Sequence, residues 1–155
     1  MSSMFKGATV FDKVISNWNT AAVTDMSSMF NNTDLTNANI SNWTTTALTD
    51  MSNMFNGAIL IGANISGLVA AVTVAVDLSS MFNGANLKNA DIIGWNTTTV
   101  TNMSSMFNGA KFLDTVDPTS LVSLITTNVT DMSSMFKDAA TFNQNISNWN
   151  TAAVT

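Results

Sequence analysis

The sequence predicts an α/β repeat, a solenoid of about six stacked turns with one short strand and one short helix in each turn and a parallel sheet along one side. Three observations predict it. The dipeptide Met-Phe recurs at nearly constant spacing, Val or Leu and then Met precede most of these Phe residues at helical spacing, and Ile and Trp follow most of them at fixed distances. Repetition with a period of roughly 20–50 residues is the sequence signature of stacked repeats.

Residues 1–155 read as a single continuous repeat array. Successive Met-Phe dipeptides are 25, 25, 27, 25 and 29 residues apart. Met1 is in phase with Met26, and Thr155 is in phase with Thr24, so neither end departs from the pattern. Because terminal repeats normally do depart from it, we expect a segment of a longer protein or ends that a partner covers. The predicted junctions between turns lie near Phe5, Phe30, Phe55, Phe82, Phe107 and Phe136.

The segment that ends at each Met-Phe dipeptide predicts a short helix. Val23, Met26 and Met29 are spaced three apart, which places them on one helical face. The preceding Thr-Asp pair offers an N-cap and an acid near the positive end of the helix. Two residues past each Phe stands a residue type that tolerates the left-handed backbone in which many helices end. The predicted helix stops are Gly7, Asn32, Gly57, Gly84, Gly109 and Asp138.

The middle of each turn predicts a short strand, with Ile ten residues and Trp thirteen residues past the Phe in most turns. Stacked turns would lay these strands side by side at about 4.8 Å. A helix of about seven residues is marginal in water, so burial between turns must hold the array together. The predicted structural core consists of Met26, Met29, Phe30, Ile40, Trp43, Met51, Met54, Phe55, Met103, Met106, Phe107, Ile146 and Trp149.

Two turns depart from this pattern. The third carries Gly67-Leu68-Val69 where Trp is expected, and the fifth carries the only proline, Pro118, within a longer segment over Asp114–Ile125. Both are predicted to bulge as loops on one edge of the stack, where binding residues tend to lie.

The residue types that are missing limit the chemistry. The chain has no Cys, His, Tyr, Arg or Glu, so thiolate and imidazole metal sites cannot form and the usual bases and nucleophiles are lacking. Its five lysines are scattered and its net charge is −5, which argues against nucleic acid as a partner. The longest apolar stretch, around Leu68–Leu78, is too short to span a bilayer. We therefore expect no catalytic residue, no cofactor, no metal site and no membrane insertion by this segment.

Two blocks carry a resemblance to a known family. Residues 23–30 read Val-Thr-Asp-Met-Ser-Ser-Met-Phe, and residues 142–151 read Phe-Asn-Gln-Asn-Ile-Ser-Asn-Trp-Asn-Thr. They resemble the BspA-like repeat of bacterial surface proteins, which has a similar period and is itself similar to the leucine-rich repeat. The resemblance covers essentially the whole chain. It implies a leucine-rich-repeat-like solenoid, a location outside the cell, on the cell surface or on a virion or filament surface, and a role in adhesion or protein interaction.

Two functions stay open at this stage. The first is a non-enzymatic structural or adhesive surface module that mediates protein–protein interaction, assembly or self-association through one face. The alternative is a module that binds glycans or a crystal surface through its Trp or Thr columns. Leu68 stands in the Trp column, which favours packing because a stacking platform would not accept Leu. The two columns are Trp18, Trp43, Trp95 and Trp149, and Thr20, Thr45, Thr97 and Thr151.

A column of acids, Asp25, Asp50, Asp77 and Asp131, could in principle bind cations between turns. Calcium takes six to eight oxygen ligands, whereas each turn offers one carboxylate and Asn102 interrupts the row. Capping of the predicted helices is the better interpretation.

Overall fold

The computed structural model describes residues 1–69, 74–92, 94–112 and 121–155 and places them in six coils that stack on one another. Isolated parallel bridges link successive coils from coil two to coil six, and backbone hydrogen bonds such as Phe5 N–H to Met29 C=O join coil one to coil two. One column of these bridges begins at Asp25 and divides the chain into coils one to six, which we define as residues 1–24, 25–49, 50–76, 77–101, 102–130 and 131–155.

The predicted fold class is wrong. The described residues contain no helix and no extended strand, so the coils are not built from one strand and one helix each, and the implied leucine-rich-repeat-like solenoid is not what the chain forms. Backbone pairing between coils is parallel, but each pairing is a bridge between single residues. The bridges form three columns: Asp25–Asp50–Asp77–Asn102–Asp131, Asp34–Ile59–Asn86–Lys111 and Asn39–Asn64–Asp91.

The predicted helix fails because a residue in its middle has a left-handed backbone. Ser28 has a φ of 55°, and Asn32, four residues later, has the same value. A right-handed helix cannot continue through such a residue. The chain instead makes two β-turns, with Ser28 in the third position of the first turn and Asn32 in the third position of the second. The first turn is closed by Met29 N–H to Met26 C=O and the second by Thr33 N–H to Phe30 C=O, both at 3.2 Å. The residues equivalent to Ser28 in the other coils are Ser3, Asn53, Ser80, Ser105 and Ser134, with φ between 54° and 57°.

Backbone groups that a helix would use internally bind the neighbouring coil instead. The N–H groups of Ser28 and Phe30 donate to the carbonyls of Ser52 and Met54, each at 2.9 Å. The N–H group of Met29, which lies between them, closes a turn within the coil. Each coil therefore depends on the next one for half of the hydrogen bonds in this segment, which makes stability a property of the stack.

Apolar side chains point into the interior of the coils and meet their equivalents above and below. The phenylalanines of the Met-Phe dipeptides form one continuous column of nearly parallel rings. Centroids are 5.4 to 5.7 Å apart and interplanar angles are 3° to 10°. Offset stacking of this kind adds to the burial of the rings. The column consists of Phe5, Phe30, Phe55, Phe82, Phe107 and Phe136.

Of the two departures from the repeat, the structure describes one in part. A Cβ added at Gly67 would lie 2.0 Å from the carbonyl oxygen of Ser41, so only glycine allows coil three to approach coil two at this point. Leu68 beside it is fully buried in place of a tryptophan. The predicted bulges themselves fall at residues 70–73 and 113–120, including Pro118, which lie outside the described residues.

Candidate binding surfaces

The predicted core residues lie mostly inside the stack. Met26, Met29, Phe30, Ile40, Trp43, Met51, Met54, Phe55, Met103, Met106 and Phe107 are all buried. Coil six differs, because Ile146 is 38% exposed and Trp149 is only partly buried against the core. Their equivalents in the middle coils are covered by a following coil, which these two residues lack among the described coils.

The tryptophan column belongs to the interior. Trp43 and Trp95 are buried, and their indole Nε1 atoms donate to the carbonyls of Ile15 at 2.9 Å and Ile65 at 3.0 Å in the preceding coil. The Trp43 ring also stacks on Phe30, with centroids 6.1 Å apart. Ring faces that are already covered cannot form a platform for sugars, so these two tryptophans are packing residues.

The threonine column was a candidate binding surface, and the structure corrects this for three of its four residues. Thr20, Thr45 and Thr97 are buried, and only Thr151 is exposed. The hydroxyl of Thr45 donates to the carbonyl of Leu68 in the following coil at 2.7 Å. Because a buried polar group needs a partner, each of these threonines serves to join coils. They present no hydroxyl face to a ligand.

The predicted helix stops have the expected backbone but a different role. Gly7, Asn32, Gly57, Gly84, Gly109 and Asp138 all have φ between 55° and 76°. No helix precedes them, so they do not stop one; they occupy the third position of the second β-turn. The left-handed residue type was therefore predictable, whereas the element that it ends was not.

The acids of the first bridge column cap turns. Asp25 Oδ1 accepts hydrogen bonds from the hydroxyl of Ser27 at 2.7 Å and its backbone N–H at 2.8 Å. The Ser27 hydroxyl, and then the Ser27 backbone N–H, hold the pKa of Asp25 below its ordinary value. Asn102 makes the same pair of bonds to Ser104 at 2.7 and 2.9 Å, so a carboxylate is not required at this position.

These acids do not gather into a metal site. Within the described parts of the chain, no group of three or more His, Cys, Asp or Glu side chains could hold a metal ion. The same parts contain no helix with the length and hydrophobicity needed to cross a bilayer.

One exposed edge belongs to coil six. In the other coils the N–H groups of the Met-Phe segment donate to the following coil. In coil six the N–H groups of Ser134, Phe136 and Asp138 have no hydrogen-bond partner among the described residues. At the opposite face of the stack, the carbonyls of Ser2, Met4 and Lys6 in coil one likewise have none among them.

A second exposed edge lies between coils one and two. There residues 9–16 of coil one do not lie against residues 34–39 of coil two, and a cavity of about 630 Å³ separates the two segments. Val10 and Val14 on the coil-one side are 90% and 82% exposed. This gap is a departure from the regular stacking of the coils that follow.

The comparison with known families identifies the chain. The family model described as "Mycoplasma protein of unknown function, DUF285" matches residues 1–74 and 76–155. The chain belongs to this family. No curated protein and no solved structure matches it. The boundary between the two DUF285 matches falls in coil three, the coil in which Gly67 and Leu68 replace the usual residues.

Sequence reasoning missed the gap in this DUF285 chain, although a signal for it exists. In coils two to four the corresponding corner has a left-handed residue, Asn37, Gly62 or Asn89. Coil one has Asp12 there, and its φ is not positive. The corner that brings coil two alongside coil three is therefore not made in coil one, and the segment separates.

Proposed function

We propose that this chain is a non-enzymatic structural repeat module that mediates protein–protein interaction and assembly by adding polypeptide to the exposed edges of its stack. The unpaired N–H row of coil six carries the proposal. Exposed rows of backbone donors and acceptors are templates for pairing with another chain. The buried threonines described above are occupied in joining coils and the acids of the first bridge column in capping turns, whereas the backbone groups at these edges are free to bind.

The two outer faces of the stack are complementary. Inside the stack, Phe5 N–H donates to Met29 C=O at 2.9 Å and Gly7 N–H donates to Asn31 C=O at 2.7 Å. The same relation would join the unpaired N–H groups of coil six to carbonyls placed as those of Met4 and Lys6 are. A further coil, whether from this or another polypeptide, would continue the column of stacked rings beyond Phe136, which is only partly buried.

Sedimentation velocity of the 155-residue chain over a range of concentrations tests the proposal. We expect mass to rise above the 16.5 kDa of the single chain, because association covers apolar surface and pairs the N–H groups of coil six. Ile146→Lys places a charge on the exposed face of coil six and should abolish association.

Ile125→Lys is the matched control, because Ile125 is 41% exposed on coil five and does not lie on that face. It should associate as the unmodified chain does. A single species of 16.5 kDa at every concentration, or equal association of both variants, would overturn the proposal.

A further inference from the structure

The gap between coils one and two leaves one side of segment 34–39 without a neighbouring polypeptide segment. On the side that faces coil three, this segment makes backbone hydrogen bonds over its whole length. On its other side, toward coil one, it has no backbone bonds to residues 9–16. Ala38 and Asn39 are accordingly more exposed than Ala63 and Asn64, the residues that correspond to them in coil three.

The uncovered edge carries a specific set of hydrogen-bonding groups. The N–H groups of Asp34 and Asn39 have no partner among the described residues, and neither do the carbonyls of Asp34, Thr36 and Asn39. In coil three the equivalent N–H groups, of Ile59 and Asn64, donate to Thr33 and Ala38 at 3.0 and 2.8 Å. The equivalent carbonyls, of Ile59, Ile61 and Asn64, accept from Leu35, Asn37 and Ile40 at 2.8, 2.8 and 3.0 Å.

A polypeptide segment that follows the same corner matches this set, because residues 34–39 contain a turn closed by Ala38 N–H to Leu35 C=O at 2.9 Å, with Asn37 in the left-handed region. Two donors and three acceptors along six residues require a partner with amide groups at matching positions. Addition of a polypeptide segment to an exposed backbone edge is a recurring mode of peptide recognition.

The walls of the gap define the side chains that fit. Val10 and Val14 present apolar surface along the coil-one side. The charges on that side are compensated, because Lys13 Nζ lies 2.6 Å from the carboxylate of Asp12. On the coil-two side, Asp34 Oδ1 accepts from the backbone N–H and the hydroxyl of Thr36 at 3.0 and 2.7 Å. The apolar surface of the two valines favours uncharged side chains in the occupant, and the Asp34 carboxylate disfavours acidic ones.

We propose that the gap between residues 9–16 and 34–39 binds an uncharged segment of about six residues from a partner protein, which lies parallel to residues 34–39 and follows their corner. The proposal rests on the proposed function and adds the location of one binding site and the chemistry of its occupant. It does not depend on the outer faces of the stack, because the gap lies between two coils of the same chain.

The probe is a blocked, fluorescein-labelled peptide, Thr-Asn-Leu-Thr-Asn-Ala-Asn-Ile. Its sequence is that of residues 33–40 with Asn in place of Asp34, since this segment lies against coil three as the occupant would lie against coil two. Fluorescence anisotropy with the whole chain should show saturable binding. A peptide N-methylated at its Leu loses the N–H that would meet the Asp34 carbonyl and should bind at least tenfold more weakly.

The double variant Val10→Asp/Val14→Asp should also lose at least tenfold in affinity, and circular dichroism should show it folded because both valines are exposed. Val74→Asp, at a valine that is 41% exposed and does not line the gap, should bind as the unmodified chain does. No saturable binding, or equal binding by the double variant or by the methylated peptide, would overturn the proposal. Association of the chain with itself that the double variant abolishes would identify a second copy as the occupant and also overturn it.

Ile146→Lys separates this proposal from the proposed function. If the gap binds a partner segment, this variant binds the peptide although its coil-six face is disabled. Peptide binding by a chain that never associates would refute the assembly proposal alone, and association without peptide binding would refute the gap alone.

Discussion

Replacing Ser80 by glycine should change the free energy of unfolding in opposite directions for a stack of turns and for a stack of helices. Its φ of 54° places it in the left-handed region, where a residue with a Cβ is less favourable by roughly 1–2 kcal/mol and glycine is not. Against this, glycine loses more conformational entropy on folding than serine does, which costs about 0.5–1 kcal/mol of stability. Ser80→Gly should therefore stabilise the protein by about 0.5–1 kcal/mol.

A helix would give the opposite result. In a helix interior, Ser→Gly destabilises by about 0.5 kcal/mol and Ser→Ala stabilises by a similar amount. In the turn, Ser80→Ala retains the left-handed penalty and brings no gain. Urea unfolding followed by tryptophan fluorescence measures all three proteins. Ser79→Gly is the control, because the adjacent Ser79 does not have a positive φ and should lose about 0.5–1 kcal/mol. A less stable Ser80→Gly together with a more stable Ser80→Ala would refute the reasoning.

Three further predictions follow from the core and the caps. Phe55→Ala removes a fully buried ring that stacks on both neighbouring rings, and it should lower the free energy of unfolding in urea by about 3–5 kcal/mol. Phe5→Ala should lower it by less than half as much, because the Phe5 ring is only partly buried. Equal losses would contradict the continuous ring column. Thr45→Val leaves the Leu68 carbonyl without its donor and should cost about 1–2 kcal/mol in the same assay, and a loss near zero would mean that the hydroxyl does not join the coils. Asp25 has a lowered pKa in the folded state, so its contribution to stability is present above its unfolded pKa of about 3.9 and is lost as pH falls through the folded pKa. Asp25→Asn, which can accept the same bonds, should therefore show a smaller decrease in urea midpoint between about pH 7 and pH 3, and an unchanged decrease would contradict the assignment.

The interior rows could be predicted from the sequence because each row repeats one residue type at one phase of the period. Phe30, Phe55 and Phe82 are 25 and 27 residues apart, and such a column is visible without any knowledge of backbone conformation. Burial follows from the side chain, so it depends little on which local structure presents it.

The local structure could not be predicted in the same way. The spacing of Met26, Met29 and Phe30 fits one face of a helix, but two successive β-turns place the same residues inward as well. What distinguishes the two is the pair Ser28 and Asn32, four residues apart and both left-handed. Asn tolerates that conformation and signals it, whereas Ser gives no such warning. The threonine column was misjudged for a related reason, because Thr45 looks like a surface residue until its carbonyl partner in the next coil is known.

The candidate site exists because coil one lacks the left-handed corner of coils two to four, and the effect of such a missing corner is difficult to predict from one sequence. Asp12 replaces Asn37 or Gly62 at a corner, and whether coil one then separates depends on the balance between that corner and the bonds to coil two. The unpaired groups of Asp34 and Asn39 are a consequence of that balance.

Far-UV circular dichroism of the intact chain tests the central claim most directly. Stacked coils of turns joined by single-residue bridges should give a spectrum without the pair of minima that marks α-helices, and this spectrum should be lost cooperatively in urea together with the tryptophan signal. A folded chain whose spectrum shows a short helix in every repeat would contradict the account.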